Sequence, residues 1–515
     1  MTVTKKSFMY IVMLFSWAIL LSFFIPSVIY EYQIANTDNI YILTLLTLNA
    51  FFISYFWLNG TKDIVYVVFF YVFKKRIFSY SERIKNQKKC FSNAKVLLVY
   101  CTCNDFEESS LKKCIKQSHK NTKTIILDDS DDIGYQNRID RFACKNNIEV
   151  VRREDRKGFK AGNLNNYLRN RKDYDYFVIL DSDEIIPHNF VEECLKYFKY
   201  YDNIGIVQCT HIATRNTTPF MQMFHIGVDS HWPTYQTVKH HFGFMSLLGH
   251  GAMISRQCYE ATNGLPEVVA EDLCFSIEAR NKGFYTAFAP NIVCQEEYPI
   301  DYIAFKKRHS KWTQGNFEFM KNYTMRILTS KMHWFEKLDI FLFTYNLPLT
   351  ALFSLYIIIN IALLPLIGYD LHYPIWLIVP TVVFFFAPMI NDFISWFKKI
   401  APSRLLKYMF YTFMLYGSML YQSIKSSFLA LIGKKAVFTV TPKTTSYISL
   451  FDAIAFNKEE IIFAVVMSVI SLGLKGSILP VVLIVVPAVF SVVLTLYSNG
   501  DQKHSSRQPN GLRAT

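Results

Sequence analysis

The sequence predicts an α/β domain with a mostly parallel central sheet, fused to an α-helical transmembrane region of about six spans plus interfacial helices. Three observations carry that prediction. Long apolar runs sit only toward the two ends of the 515 residues. The middle segment, 75–337, is polar enough to be soluble, and within it short β-branched runs alternate with polar, helix-like stretches. Such alternation builds a parallel sheet with helices on both faces.

The first run, residues 8–30, has no charged side chain before Glu31; at about 1.5 Å per residue it crosses a hydrocarbon core of about 30 Å. No small-residue cleavage site follows, which argues against a signal peptide. A second run covers 40–58, and 64–73 is apolar but too short to span, so it reads as an extension or an interfacial piece. From Leu338 onward, runs at 340–367, 372–395, 460–474 and 476–498 complete the set, the last two parted near Lys475 and Gly476. The chain thus divides into a two-span segment 1–74, a central domain 75–337, a membrane region 338–498 and a polar tail 499–515 expected to be disordered.

Charge orients the spans. Lys5 and Lys6 precede the first, Lys74, Lys75 and Arg76 follow the second, and Lys398, Lys399 and Arg404 follow the fourth, whereas 31–39 and 368–371 carry no Lys or Arg. Positive loops stay inside, so both termini and the central domain are expected on the cytoplasmic side of a plasma membrane. The net charge of +14 follows from these flanks. Because the basic residues are not interleaved with aromatics along one face, no nucleic-acid partner is expected. All ten cysteines fall between Cys90 and Cys294 with no CxxC pair, and read as reduced cytosolic thiols.

Four strands are expected, from "AKVLLVYCT" (94–102), "TKTIILDD" (122–129), "IEVVRR" (148–153) and "YFVILDSD" (176–183), with helices near 106–119 and 160–171. In such sheets ligands bind beyond the carboxyl ends of the strands. Three of the four end there in polar groups: Thr102 to Asp105, Asp128-Asp129, and Asp181-Ser182-Asp183. An i, i+2 pair at a strand end turns both carboxylates to one side. Asp181 and Asp183 therefore suit a Mg2+ or Mn2+ ion, which takes oxygen ligands and bridges to a diphosphate; a solvated turn is the alternative for the motif alone. "RKGFKAGNLNNYL" (156–168) sets Lys157, Lys160, Gly158 and Gly162 at a helix start, fitted to a phosphate or to an ordinary basic helix. Glu271-Asp272 opens another helix, where acids complement the dipole and also serve as a general base for a nearby hydroxyl.

In their order these pieces resemble the membrane-integrated family 2 glycosyltransferases, the processive group that includes cellulose and hyaluronan synthases, over residues from about 96 to 446. The resemblance implies a GT-A-type domain facing the cytosol. "YCTCND" (100–105) resembles the first nucleotide-binding strand end, with Thr102 and Asp105 as donor contacts and Cys101 and Cys103 in place of the usual Pro and Tyr. "ILDDSDD" (126–132) matches the second, where Asp129 contacts uridine, and Lys160 holds the Lys-Ala-Gly position near the donor. Asp181 and Asp183 match the donor-phosphate and metal pair, and Glu271-Asp272 the pair whose Asp is the catalytic base. "GHGAMISR" (249–256) resembles the acceptor-side loop, placing His250 and Gly251 near the end of the growing chain. "RHSKWTQG" (308–315) resembles the Gln-x-x-Arg-Trp signature of processive synthases: Trp312 is retained, with Arg308 for Gln and Lys311 for Arg. "FTVTPK" (438–443) resembles the gating loop of cellulose synthases, here 436–446 with Phe438, Val440, Thr441 and Lys443, behind an interfacial helix 405–432.

What the resemblance implies is inverting transfer of a sugar from a UDP-sugar, with a Mg2+ or Mn2+ cofactor, to a growing polysaccharide that leaves through the lipid-embedded helices. UDP-glucose is the favoured donor, as in single-protein capsular glucan synthases of Gram-positive bacteria, ahead of UDP-N-acetylglucosamine (a hyaluronan or chitin type of product) and UDP-glucuronate. A non-processive enzyme that loads one sugar onto a lipid carrier would need neither the Trp312 signature nor the gating loop. A transporter with a cytosolic binding domain would carry intramembrane ionisable residues, of which the six runs hold few.

Overall fold

The structure, a computed structural model, describes residues 1–35, 38–87, 93–214, 217–346, 355–434, 445 and 447–499. Phe438, Val440, Thr441 and Lys443 of the expected gating loop, and the tail from 500, lie outside the described residues.

Helix α1 spans Phe8–Ala35 and α2 spans Ile40–Lys85. The 46 residues of α2 reach about 70 Å, more than twice the thickness of a hydrocarbon core. The apolar stretch 64–73 is therefore a continuation of the second span and not a separate piece. The far end of α2 belongs to the soluble core: Tyr80 and Ile84 pack among Leu98, Ile126 and Val178, and the Tyr80 hydroxyl donates to the Phe288 carbonyl at 2.6 Å. The helix runs through position 75 unbroken and fastens the enzyme-like domain to the membrane segment.

The central domain continues as β1 (Val96–Thr102), α3 (Glu108–Cys114), β2 (Thr122–Asp128), α4 (Ile133–Asn146), β3 (Glu149–Val151), α5 (Phe159–Leu168), β4 (Tyr176–Leu180), α6 (Phe190–Tyr200), β5 (Ile204–Ala213), α7 (Pro219–His231), α8 (Thr237–His241), β6 (Ala252–Ser255), α9 (Arg256–Ala261), α10 (Glu271–Asn281) and β7 (Tyr285–Glu296). The sheet order is β3-β2-β1-β4-β6-β5-β7. All four expected strands form, and their side chains alternate between two buried layers. Leu98, Tyr100, Val178 and Leu180 face one core, while Leu97, Val99, Phe177 and Ile179 face the other. Burial on both faces is why these strands read as unbroken apolar runs.

The sheet is mostly parallel, as expected, and is mixed only through one reversed strand. β1 pairs in parallel with β2 and β4, β2 with β3, and β5 with β7, but β6 runs antiparallel to β4 and β5. That one reversal shapes the site. A reversed strand brings its N-terminal loop to the edge where its neighbours end, and Ala252 pairs with Ile179, so loop 249–251 stands beside Asp181.

After β7 come the polar helix α11 (Tyr302–Leu328) and α12 (Trp334–Thr344). Among the described residues, four helices are long and apolar enough to cross a membrane: Phe8–Ala35, Ile40–Lys85, Ile375–Trp396 and Leu479–Asn499. They correspond to four of the expected runs. The run 340–367 begins inside α12, whose Ile340 and Leu342 are buried in protein, and ends in the short helix Leu355–Leu366. The run 460–474 forms the helix Lys458–Lys475, closed by Gly476 in the left-handed region (φ 66°). The expected interfacial helix 405–432 is two helices, Pro402–Ser418 and Leu420–Leu431. The nine described cysteines are free thiols.

Candidate active site

The carboxyl ends of β1, β2 and β4 open into a cavity of about 2050 Å³. Its wall gathers Thr102, Asp105, Asp129, Lys160, Asp181, Asp183, His250, Glu271, Asp272, Arg308, Lys311 and Trp312, residues that lie up to 210 positions apart in the chain. Of the site residues that the resemblance implies within the described chain, Gly251 alone is not on that wall; of the basic helix start, Lys157, Gly158 and Gly162 are not on it either.

On the donor side, Asp105 accepts hydrogen bonds from the Thr102 hydroxyl (2.8 Å), the Cys103 N–H (2.9 Å) and the Ser182 hydroxyl (2.7 Å). One carboxylate thus joins the loop after β1 to the loop after β4. Asp129 is gripped by both arms of Arg153, at 2.9 and 2.7 Å, and the same guanidinium donates to the carbonyls of Lys157 and Phe159. Gly162 answers to that packing, because any side chain there would strike the Lys157 carbonyl and Arg153. Lys157 itself turns outward, paired with Asp155 at 3.0 Å. Lys160 and Arg156 are the basic groups of this loop that line the cavity.

Lys160 pairs with Asp181 and donates to the Gly249 carbonyl at 2.8 Å. Burial pulls its pKa down, but Asp181 and other nearby anionic groups outweigh that and hold it above its ordinary value. Asp183 accepts the Glu297 N–H at 2.8 Å, which fixes its carboxylate on the cavity wall. Asp181 is two-fifths exposed there. Two anionic oxygen donors on one wall, one of them open and one oriented by the backbone, fit a Mg2+ or Mn2+ ion.

Glu271 and Asp272 occupy the first turn of α10. Burial and the adjacent Asp272 push the Glu271 carboxyl up to about 8. Burial raises Asp272 as well, opposed by the Leu273 N–H that it accepts at 2.8 Å and by Lys160. A carboxylate of raised basicity aimed into a cavity is suited to taking a proton from a hydroxyl.

Helix α11 presents Arg308, Lys311 and Trp312 within about one turn. The Arg308 guanidinium lies 4.2 Å from the centre of the Trp312 ring, a cation–π contact that covers one face of the indole. Burial, then Arg308, depresses the pKa of Lys311. His250, expected near the acceptor, faces carboxylates with both ring nitrogens: Nδ1 meets Glu184 and Nε2 meets Glu296 at 3.3 Å. Glu184 also accepts from His211 at 3.1 Å. Gly251 lies behind this pair, at φ 56°, where a side chain would strike His211 and Glu184. Arg153, His211 and Glu296 were not anticipated, the one visible signal being the basic end of "IEVVRR"; Glu184 was readable from "DSDE" as a member of the acidic cluster that ends β4, but not as the partner of two histidines.

The cavity does not end at Trp312. It runs on between residues of the membrane helices, among them Tyr55, Trp57, Phe384 and Leu483, and past Tyr235 and Phe343.

Residues 176–417 match the family model described as glycosyl transferase family group 2. The chain is 24% identical over 218 residues to the probable glucomannan 4-beta-mannosyltransferase 15 of Arabidopsis thaliana, covering 40% of each. It is 26% identical over 212 residues to the beta-monoglucosyldiacylglycerol synthase of a Synechocystis strain, covering 40% of this chain and 43% of the relative. The chain thus spans about two fifths of the length of these curated relatives. Among solved structures, the mannosyltransferase PcManGT from Pyrobaculum calidifontis, in complex with GDP-Man and Mn2+, aligns at 15% identity and a TM-score of 0.43 over 75% of this chain and all of that one. The matched stretch runs from β4 through α11 into the helix Pro402–Ser418, and takes in the cavity-wall residues Asp181, Asp183, Asp272 and Trp312 and part of the mixed sheet.

Proposed function

We propose that the chain is a processive, inverting β-glycosyltransferase that polymerises a hexose from a UDP-sugar and passes the polysaccharide across the plasma membrane. The supporting observation is the single cavity that joins the Asp181, Asp183 and Asp272 carboxylates to the spaces between the membrane helices. In this reading a polymer lengthened at the sheet end leaves between the membrane helices.

In this reading Thr102, Asp105 and Asp129 hold the nucleotide, Lys160 holds the diphosphate side, and Asp181 and Asp183 would hold Mg2+ or Mn2+. The cation, when bound, supplies Lewis-acid neutralisation of the diphosphate charge. Asp272 takes the proton of the acceptor hydroxyl as that oxygen bonds to C1 of the sugar. The bond from C1 to the diphosphate oxygen breaks on the opposite face, and UDP departs with the electron pair. One displacement of this kind turns an α-linked donor into a β-glycoside. Trp312 offers its uncovered face to a sugar ring, with Arg308 and Lys311 beside it. The loop 436–446 is proposed to close over the donor, and about six spans to bring both termini to the cytoplasm.

UDP-glucose is the first donor in this reading. Likeness to a monoglucosyldiacylglycerol synthase favours a second one, transfer of a single sugar to a lipid. Purified protein incubated with UDP-glucose, UDP-N-acetylglucosamine, UDP-glucuronate and GDP-mannose separately, with Mn2+, tests both. The proposal expects long, glycosidase-sensitive polymer from one donor at early times; a lipid-soluble product of one sugar would overturn it.

A further inference from the structure

We propose that Glu184 and His250 are a positioning pair that fixes loop 249–251 beside the base Asp272 and ties it to the Asp181/Asp183 turn, an inference that rests on the glycosyl-transfer reading above. Neither residue is needed to touch substrate for this role.

Glu184 is fully buried, and a carboxylate there is tolerated only when paired and hydrogen-bonded. Its oxygens accept from His211 at 3.1 Å and from His250. The other nitrogen of His250 faces Glu296 at 3.3 Å. A neutral imidazole has one N–H, so contacts to two carboxylates require the doubly protonated ring. Rotating that ring breaks both contacts at once.

The loop around His250 is held on every side by groups from other elements. Gln208 of β5 donates to the His250 carbonyl at 3.0 Å and accepts the Leu248 N–H at 2.8 Å, and Lys160 donates to the Gly249 carbonyl at 2.8 Å. Gly249 and Gly251 take φ of 94° and 56°, the left-handed region, on either side of His250. A side chain built on Gly249 would begin 3.7 Å from Asp272 Oδ2, so this loop is the surface beside which the base stands. The donor end of the link is backbone: the Glu184 N–H donates to the Asp181 carbonyl at 3.1 Å, closing the turn that carries both metal-facing acids. One buried carboxylate therefore sets the spacing between donor-side acids and base, and misplacement by about 1 Å costs on the order of a hundredfold in rate.

Glu184, His211 and Cys294 could also present ligand atoms within 4.8 Å of one another. The two imidazoles already sharing the Glu184 carboxylate favour the hydrogen-bonded network over a metal there.

The test uses the purified full-length protein and the variants E184Q, H250Q and the double variant. UDP release is followed with whichever nucleotide sugar the wild type consumes, and UDP with Mn2+ is the binding probe. Each single variant is expected to lose on the order of 10- to 100-fold in kcat, with UDP affinity and donor KM held within about twofold. The double variant is expected to lose no more than the worse single one, because the two residues act as one unit. Unchanged kcat, additive losses, loss of UDP binding in step with kcat, or stoichiometric zinc in the wild type would each overturn the pair's role. If E184Q fails to fold, H250Q on the cavity wall carries the same kcat-against-KM split. A wild type that consumes no nucleotide sugar overturns the glycosyl-transfer reading, and this role with it, while an active wild type with unaffected variants overturns the pair alone.

Discussion

Asp272 has the three attributes a general base needs here: a place on the cavity wall, a helix N-terminus that fixes its backbone, and a pKa raised by burial. Asp272→Asn should keep UDP binding and lower transfer by on the order of 10²- to 10⁴-fold, measured by calorimetry and UDP release on one preparation. Because the base acts deprotonated, the rate should fall as pH drops through a limb above the ordinary carboxylate range. Glu271 is pushed up to about 8 beside Asp272 and so is still protonated where Asp272 loses its proton; Glu271→Gln should therefore leave that limb in place, and a limb that moves to lower pH would show that the two acids share one proton. Asp183→Ala should weaken Mn2+-dependent UDP binding, and an unchanged Mn2+ titration would remove Asp183 from the metal site. At this scale the acids were legible because clustered negative charge at strand and helix ends stands out in a basic chain. Arg153 was not, since it takes its role from Asp129, a partner met only in the fold; Glu184 was legible as one of the clustered acids, but its pairing with His211 and His250 was not.

Secondary elements decide which of those residues meet. The β1, β2 and β4 runs were readable because burial on both faces demands continuous apolar sequence, and their ends delivered Asp105, Asp129, Asp181 and Asp183 to one edge. The direction of β6 was not readable, for "AMIS" is four residues and serves equally well in either sense; only its pairing with Ile179 puts loop 249–251 at the site. Likewise the glycines of "RKGFKAGN" suggested close approach of a ligand, whereas Gly162 makes room for Arg153. Arg153 and Asp129 are both about nine-tenths buried, so Arg153→Ala strands a buried carboxylate at a cost of about 3–5 kcal/mol. A lowered thermal midpoint together with weaker UDP binding is the expected outcome, and an unaltered midpoint would mean that Asp129 finds another partner.

In the whole molecule, membrane and catalytic parts are joined by helices that belong to both. α2 ends inside the sheet domain's core, and α11, which carries Trp312, is held to later helices by Asp301 with Asn499 at 3.1 Å and His309 with Ser423 at 2.9 Å. The membrane character was plain in the apolar runs, but their number was not, because a run such as 340–367 lies partly in a helix packed on protein and partly in a short one. Nor was the passage legible, since its wall draws on residues from Phe51 to Ile484 that share no local pattern. In the proposed function, chemistry and exit share this one passage. That sharing is tested most directly in sealed vesicles that hold the protein with its sheet domain outward, given labelled UDP-sugar and Mn2+ outside and then treated with an external glycan hydrolase. Labelled polymer that survives hydrolase until detergent opens the vesicles is the predicted result; product degraded from outside, or carried on lipid as a single sugar, would contradict it.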